Sequence, residues 1–324
     1  ATSEDDGSRR TSRIGRVVGA AVALALVAGV VVVARPHAVW QLLRATDPRW
    51  LAAAATVSAA AVIARGIRLS LLLPPSRLGV ARAVVVATAA QAAALFIPAR
   101  AGEMALPVLL RRTARWDLAS GISTLLAART LDLACLGAWA GASVLGVWGW
   151  NRPAALVAAL ALLLPALLLP LSLAALDRVA VVCLAPRGMR GRRWARRIRR
   201  TRTAMSDIVR RPLRLLAAAA ASLAMWGAVW LFTWLLLVAM GYRWSPTRVV
   251  AGSAAASLAN LVPVNLVANL GTLEAGWTAA FTALGVPLEH AAASGLATHL
   301  WAILFAALFG AVAWMVVPKF KVEG

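Results

Sequence analysis

Long apolar runs alternate with short polar segments along most of the chain, and the runs are of two lengths. Six of them have 18 or more residues, which is enough for a helix to cross the roughly 30 Å hydrocarbon core of a bilayer. The sequence therefore predicts an all-α polytopic membrane protein. The predicted spanning helices cover residues 17–34, 51–73, 121–147, 153–176, 215–240 and 291–317.

Two further apolar runs are too short to cross. Residues 84–97 and 249–262 are 14 residues each, about 21 Å as a helix. Paired interrupted helices in the two halves of a chain are typical of transporters built from repeats. We therefore predict two re-entrant hairpins, in which each helix enters the membrane, breaks and returns. The predicted breaks are Pro98 and Gly102 in the first hairpin, and Pro263 and Gly271 in the second.

The arginines predict how the chain crosses the membrane. Residues 178–214 contain 13 arginines and, like the arginine-rich N-terminus, are expected on the cytoplasmic side. An even number of crossings must separate two cytoplasmic segments, and this holds only if residues 84–110 return to the side from which they enter. A second hairpin over residues 249–284 places the C-terminal lysines inside too. The hairpins then enter from opposite faces, which predicts an inverted repeat.

This topology divides the chain into segments. We predict a multi-pass protein of a bacterial inner membrane, with both termini cytoplasmic. The alanine- and arginine-rich composition is typical of a GC-rich bacterial genome. The charged residues behind the net charge of +22 lie in loops beside apolar runs, where membrane orientation explains them, so no nucleic-acid partner is expected. The predicted segments are a basic N-terminus (1–16), a first repeat (17–147), a second, inverted repeat (153–318) interrupted by a basic loop (177–214), and a tail (319–324).

Charged side chains inside apolar segments are the candidates for chemistry. Arg100 and Glu103 are one helical turn apart, as are Arg129 and Asp132. A charge at the centre of a bilayer costs roughly 2.5–3.5 kcal/mol on insertion scales, so such groups face a cavity or one another. The candidate substrate-binding residues are Arg100, Glu103, Arg129, Asp132, Asn260, Asn265, Asn269 and Glu274.

Two interpretations of these charges remain open. The arginines and carboxylates can pair completely and clamp the first hairpin to its neighbour. Alternatively an arginine, foremost Arg100, is released to bind an anionic head group, because its planar fork suits phosphate. Glu274 is expected either to reach Arg100 or Arg129, or to take a proton. His299 is interpreted as hydrogen-bonded between helices in preference to a proton relay or a ligand.

Other chemistries find no support in the sequence. It contains no HExxH, Walker A or GxSxG pattern, and its two cysteines indicate no metal site. We therefore expect a transporter without an ATPase motif, not an enzyme, and no cofactor.

Three segments resemble a known family. Residues 96–103 (FIPARAGE) are similar to the Pro-x-Arg-x-Gly-Glu region of the lysylphosphatidylglycerol synthase transmembrane family, which is flippase-like. Residues 128–132 (ARTLD) resemble its Glu-Arg-x-x-Asp motif, and residues 271–275 (GTLEA) its late Gly-x-x-Glu segment. Arg65 and Arg68 resemble the arginine-rich end of an early helix. Ala128 departs from the family, which often has glutamate there.

The resemblance implies a stand-alone membrane domain that moves a lipid with a modified or glycosylated head group between leaflets. Its implied polar core is Arg100, Glu103, Arg129, Asp132 and Glu274. No aminoacyl-transfer domain is seen after residue 317, so lysine transfer is not expected.

The function predicted from residues and resemblance together is translocation of an anionic phospholipid or a polyprenyl-phosphate-linked head group through a polar site at the midplane. One alternative is a non-transporting scaffold that recruits a membrane-bound glycosyltransferase or a lipid synthase. Another is a transporter of a small soluble anion. The expected partners are therefore an anionic or lipid-linked substrate, the surrounding membrane lipids and, in the scaffold alternative, the glycosyltransferase.

Overall fold

A computed structural model describes residues 28–74, 78–97, 101–148, 153, 188–259 and 267–317. Helices make up almost all of this part of the chain, and it contains no strand, so the all-α prediction is confirmed. Residues 28–34 are helical and precede the first complete helix. The helices are α1 Pro36–Arg44, α2 Pro48–Leu72, α3 Val80–Phe96, α4 Ala105–Ala114, α5 Leu118–Trp148, α6 Gly188–Val209, α7 Pro212–Ala239, α8 Pro246–Ala259, α9 Thr272–Ala283 and α10 Leu288–Val316.

Four of these helices, α2, α5, α7 and α10, are long and apolar enough to cross a membrane. They correspond to the predicted spans 51–73, 121–147, 215–240 and 291–317. The predicted span 17–34 is described only from residue 28, and span 153–176 lies outside the described residues except for residue 153. The protein is thus an all-α polytopic membrane protein, and the total of six spans stays a prediction.

Local sequence explains where the long helices start. Pro48 is the first residue of α2, and the Asp47 side chain before it accepts a hydrogen bond from the Arg49 amide at 2.8 Å. Pro212 opens α7 in the same way. Proline suits the first helical turn because the amides there have no partner within the helix. The boundaries of α2 and α7 therefore follow from a few residues beside each apolar run.

Helices α2 and α7 pack antiparallel and define the two ends of the bundle. The Asp47 amide donates to the Ala239 carbonyl at 2.9 Å, and the Arg214 guanidinium donates to the Ser70 carbonyl at 3.2 Å. We call the end at Ser70 and Arg214 the basic end, and the end at Asp47 and Ala239 the far end. The exposed arginines of the basic end include Arg111, Arg112, Arg115, Arg210 and Arg211.

Helices α3 and α4 form a first antiparallel pair that opens at the basic end. Leu110 and Ala114 near the end of α4 share a core cluster with Leu78 and Ala83 at the start of α3. The 3₁₀ turn Ala101–Met104 folds back closely, since a Cβ atom on Gly102 would lie 2.0 Å from the Ala93 carbonyl oxygen. The chain therefore reverses direction here, with Gly102 at the turn. Re-entry of this pair into a membrane stays a prediction.

Helices α8 and α9 form a second antiparallel pair that opens at the far end. Arg248 near the start of α8 donates to the carbonyl of Leu284, directly after α9, at 2.7 Å. Gly271 precedes α9 with φ of 92°, a left-handed conformation that glycine adopts without strain. The 3₁₀ turn Val267–Asn269 of this pair packs against α3. The two pairs therefore enter the bundle from opposite ends, and the inverted repeat stays a prediction.

Candidate substrate site

A cavity of about 150 Å³ lies in the half of the bundle next to the basic end. Its walls come from α2, α3, α5 and α7, with the turn before α4. Most lining residues are apolar, so the polar members stand out in an otherwise hydrophobic interior. The charged and amide side chains of the lining are Arg65, Arg68, Gln91, Glu103, Arg129 and Asp132.

Helical spacing brings these groups to one cavity. Arg65 and Arg68 are one turn apart on α2, and Arg129 and Asp132 are one turn apart on α5, so each pair shares a helix face. Glu103 is placed by the 3₁₀ turn, which Gly102 allows to lie tightly against α3. Three separate elements therefore supply the five charges.

The most deeply buried of these charges form an ion pair. Arg68 Nη1 binds Asp132 Oδ1, and the Nε1 of Trp226 on α7 donates to the same oxygen at 3.1 Å. The side chains of Arg68 and Asp132 are only 8% and 12% exposed. A buried carboxylate needs such partners because its desolvation is costly. This cluster therefore joins α2, α5 and α7.

Arg129 joins the turn to α5 through a looser set of contacts. Its Nη2 lies 3.4 Å from Glu103 Oε1, and its Nη1 lies 3.6 Å from Asp132 Oδ2. The Arg129 side chain is 42% exposed, so these contacts are open to displacement. Both carboxylates of the cavity are thus engaged by Arg129.

Arg65 differs from the other two arginines. It is half-buried and lines the cavity, yet no carboxylate of the described part of the chain lies within 4.0 Å of its guanidinium. The lining carries three guanidinium groups, from Arg65, Arg68 and Arg129, against the two carboxylates of Glu103 and Asp132. The cavity therefore has an excess of one positive charge.

Only part of the predicted site lines this cavity. Glu103, Arg129 and Asp132 lie together there, and Asn269 and Glu274 are absent from its lining. Asn269 instead sits before α9, where its carbonyl accepts a hydrogen bond from Thr272. Outside the described residues lie Arg100, Asn260, Asn265, Pro98 and Pro263.

Glu274 has other partners than the arginines expected from the sequence. Its carboxylate is fully buried, accepts the Gly271 amide at 2.7 Å and lies 2.5 Å from His299 Nδ1. Glu274 forms no ion pair with Arg129 among the described residues, so that alternative is wrong, and α10 supplies the partner of Glu274. Contact with Arg100, which lies outside the described residues, and uptake of a proton stay predictions. The prediction that His299 hydrogen-bonds between helices is confirmed.

Sequence reasoning did not assign four residues of the cavity to the site: Arg65, Arg68, Gln91 and Trp226. Arg65 and Arg68 stood out only through their resemblance to the arginine-rich end of an early helix of the family. Arg65 and Arg68 had a usable signal, because they show the same one-turn spacing in an apolar run as Arg129 and Asp132. Gln91 and Trp226 are single polar groups in apolar helices, and Trp226 is 94 residues from its partner Asp132. Nothing in the sequence around them indicates the cavity.

Comparison with known families agrees with the motifs of the sequence. The family model for the lysylphosphatidylglycerol synthase TM region matches residues 19–310. The chain belongs to this family. The match covers the cavity residues on α2, α3, α5 and α7, and it relates this multi-pass membrane protein to lipid handling. Comparisons with curated proteins and with solved structures found no match.

Proposed function

We propose that this protein is a lipid translocase that moves an anionic phospholipid or a polyprenyl-phosphate-linked head group between leaflets. The observation that carries the proposal is the guanidinium of Arg65, which pairs with no carboxylate of the described residues, in a cavity whose described lining has one excess positive charge. A cation at this depth is costly unless an anion compensates it. A phosphodiester supplies one negative charge and oxygens that match the planar fork of arginine.

A second cavity supports a path for the head group. It has a volume of about 160 Å³ and lies near the middle of α2, α7 and α10. Arg65 and Gln91 line both cavities, and Ser58 and Thr88 add hydroxyl groups to the lining of the second cavity. A head group that leaves the first cavity therefore keeps Arg65 and Gln91 as partners while its acyl tails stay in lipid.

The charge distribution supports an orientation for this transport. The basic end carries most of the exposed arginines of the described residues, so we propose that it faces the cytoplasm of a bacterium, that the protein sits in the inner membrane and that both termini are cytoplasmic. Both helix pairs are then re-entrant hairpins of an inverted repeat. Cysteines placed at the exposed positions Arg112 and Arg243 test this, since an impermeant thiol reagent on whole cells should label only position 243.

The rival is a scaffold in which the same charges only hold helices together. The interhelical pair of Arg68 and Asp132 is the observation that favours it. In that case the arginine-rich helix α6 is the surface that recruits a membrane-bound glycosyltransferase or lipid synthase. Arg65 distinguishes the scaffold from the transporter. Its guanidinium pairs with no described carboxylate, so it holds no helices together through an ion pair and is needed only if an anion binds.

The deciding experiment is lipid flux in proteoliposomes with fluorescent phosphatidylglycerol. Arg65→Gln should lower flux roughly tenfold, which is the effect of losing one charge-assisted hydrogen bond, and should leave the unfolding temperature unchanged. Arg243→Gln is the matched control, because Arg243 is exposed at the far end. Equal flux in Arg65→Gln and the wild type would overturn the role of Arg65, and wild-type flux no higher than that of protein-free liposomes would reject the translocase. A fluorescent soluble anion carried in place of the lipid would identify a small-anion transporter.

A further inference from the structure

A separate cavity lies at the basic end of the bundle. Its volume is about 190 Å³, and its walls come from the end of α2, the start of α5, the end of α6 and the start of α7. This is below the roughly 300–1,000 Å³ of pockets for drug-sized ligands, so it suits one compact group. We call it the basic-end cavity. Its polar lining includes Ser120, Thr124, Asp207, Arg211 and Arg214.

Arg214 is the unusual residue of this lining. Its Nη2 donates to the Ser70 carbonyl at 3.2 Å, whereas its Nη1 is buried with no hydrogen-bond partner among the described residues. A buried donor left without an acceptor costs about 1–3 kcal/mol, and more when it is charged. Rotation of the guanidinium toward the cavity would let an acceptor held there remove this cost.

The charges of the basic-end cavity favour an anion. Arg211 and Arg214 stand against the single carboxylate of Asp207, and neither arginine forms an ion pair with it in the described part of the chain. One positive charge is therefore left over. The hydroxyl groups of Ser120 and Thr124 lie on the same wall, where they donate to the Asp117 carboxylate and to the Ser120 carbonyl, so the two arginines are the donors available to a bound anion.

An apolar wall separates this cavity from the candidate substrate site. Leu72 lines both cavities, is 5% exposed and packs in a cluster with Ala128 and Ala218. None of the charged residues of one cavity lines the other. A ligand at Arg214 is therefore bound independently of a ligand at Arg65.

We propose that the basic-end cavity is a second phosphate-binding site, which holds the phosphate of an anionic lipid. Helix α6 indicates a lipid as the source. Its Met205 and Ile208 pack toward the bundle, while Arg199 and Arg200 are exposed. An amphipathic, arginine-rich helix of this kind lies at the level of anionic head groups. The site goes beyond the proposed translocation and stands whether or not the protein transports lipid.

The test uses the full chain in detergent, in the Arg65→Gln background so that the substrate site is already weakened. Bound phosphatidylglycerol is counted by native mass spectrometry, and the unfolding temperature is followed as phosphatidylglycerol, phosphatidylcholine or inorganic phosphate is added. Arg214→Met removes the charge and the unsatisfied donor but keeps a long side chain. Arg210→Met is the matched control, because Arg210 is exposed in the turn between α6 and α7 and does not line the cavity.

We expect Arg214→Met to weaken phosphatidylglycerol binding roughly tenfold, as for one charged hydrogen bond, and Arg210→Met to leave it unchanged. Without ligand, Arg214→Met should be about as stable as its parent, because removal of the buried unsatisfied donor offsets the loss of the hydrogen bond to the Ser70 carbonyl, and this separates lost binding from misfolding. Equal binding by the two variants overturns the site. An Arg214-dependent response to inorganic phosphate but not to phosphatidylglycerol overturns the lipid as its source. A failed flux assay with Arg65→Gln leaves these outcomes unaffected.

Discussion

Arg68 on α2 and Asp132 on α5 form an ion pair whose side chains are 8% and 12% exposed. The two residues are 64 positions apart in the chain, and Trp226 of α7 donates to the same carboxylate oxygen. The pair therefore fixes how three helices meet beside Arg65. A ligand would have to break this buried pair in order to bind Arg68. Arg65 and the more exposed Arg129 are therefore the arginines that a ligand can reach most easily.

The first prediction concerns this buried pair. Asp132→Leu alone should lower the free energy of unfolding by about 3–5 kcal/mol, because it leaves the buried Arg68 guanidinium without its carboxylate. Arg68→Met alone should cost less, about 1–3 kcal/mol, because Arg129 and Trp226 still contact Asp132. The double variant should recover most of the loss caused by Asp132→Leu. Arg35→Met is the control, since Arg35 and Glu289 pair at 2.7 Å with both side chains more than half exposed, and it should cost less than about 1 kcal/mol. Equal losses at Arg35 and Arg68, measured by denaturant unfolding in detergent, would contradict the prediction.

The turn of the first helix pair depends on Gly102. A Cβ atom there would lie 2.0 Å from the Ala93 carbonyl oxygen, so Gly102→Ala must push the turn away from α3. We expect a loss of about 1–3 kcal/mol in stability, as for an overpacked core, and weaker contact between Glu103 and Arg129. Gly79→Ala is the matched control, since no atom lies within 4 Å of its Cβ position. Thermal unfolding in detergent measures both variants, and an unchanged midpoint for Gly102→Ala would refute the close approach.

The buried pair of Glu274 and His299 should act as a clamp between α9 and α10. Glu274→Leu removes the acceptor of the Gly271 amide and the partner of His299, which leaves buried polar groups at about 1–3 kcal/mol each. Glu274→Gln keeps an acceptor oxygen and should cost less. Hydrogen exchange at the start of α9 should speed up markedly in Glu274→Leu and only slightly in Glu274→Gln. Wild-type exchange rates in Glu274→Leu would show that the carboxylate does not hold this turn.

Asp117 links stability to pH at the basic end. Partial burial raises the pKa of this carboxyl, but hydrogen bonds from the Ser120 side chain and the Ser120 and Ala119 amides outweigh it and hold the pKa below its ordinary value. A lowered pKa adds stability that is present above the ordinary value of about 3.9 and is lost as the pH falls through the lower native value. Asp117→Ala should therefore cost about 1 kcal/mol at neutral pH, as for a lost helix cap.

The measurement for Asp117 is the unfolding midpoint of the wild type and Asp117→Ala between pH 7 and about pH 3. The two midpoints should converge at the acid end, because the protonated carboxyl no longer accepts from both amides. A difference between the two unfolding midpoints that stays constant over this pH range would mean that the ionised Asp117 carboxylate contributes nothing to stability.

The helical elements follow from local sequence. The length of an apolar run decides whether a helix can span, and proline and glycine decide where it ends, so the four long helices and the two short pairs follow from local residues. The same local logic singled out Glu103, Arg129 and Asp132, because a charge inside an apolar run is costly wherever the helix packs.

Which charges meet depends on how the helices pack against one another. Helices such as α5 and α10 are apolar on all sides, so their sequences do not indicate which face turns inward. The choice of Arg68 as partner of Asp132, and of His299 as partner of Glu274, depends on how the helices are rotated and packed. Among the described residues Arg65 has no carboxylate partner for the same reason: Glu103 and Asp132 are turned toward other arginines, and no local sequence pattern indicates that orientation.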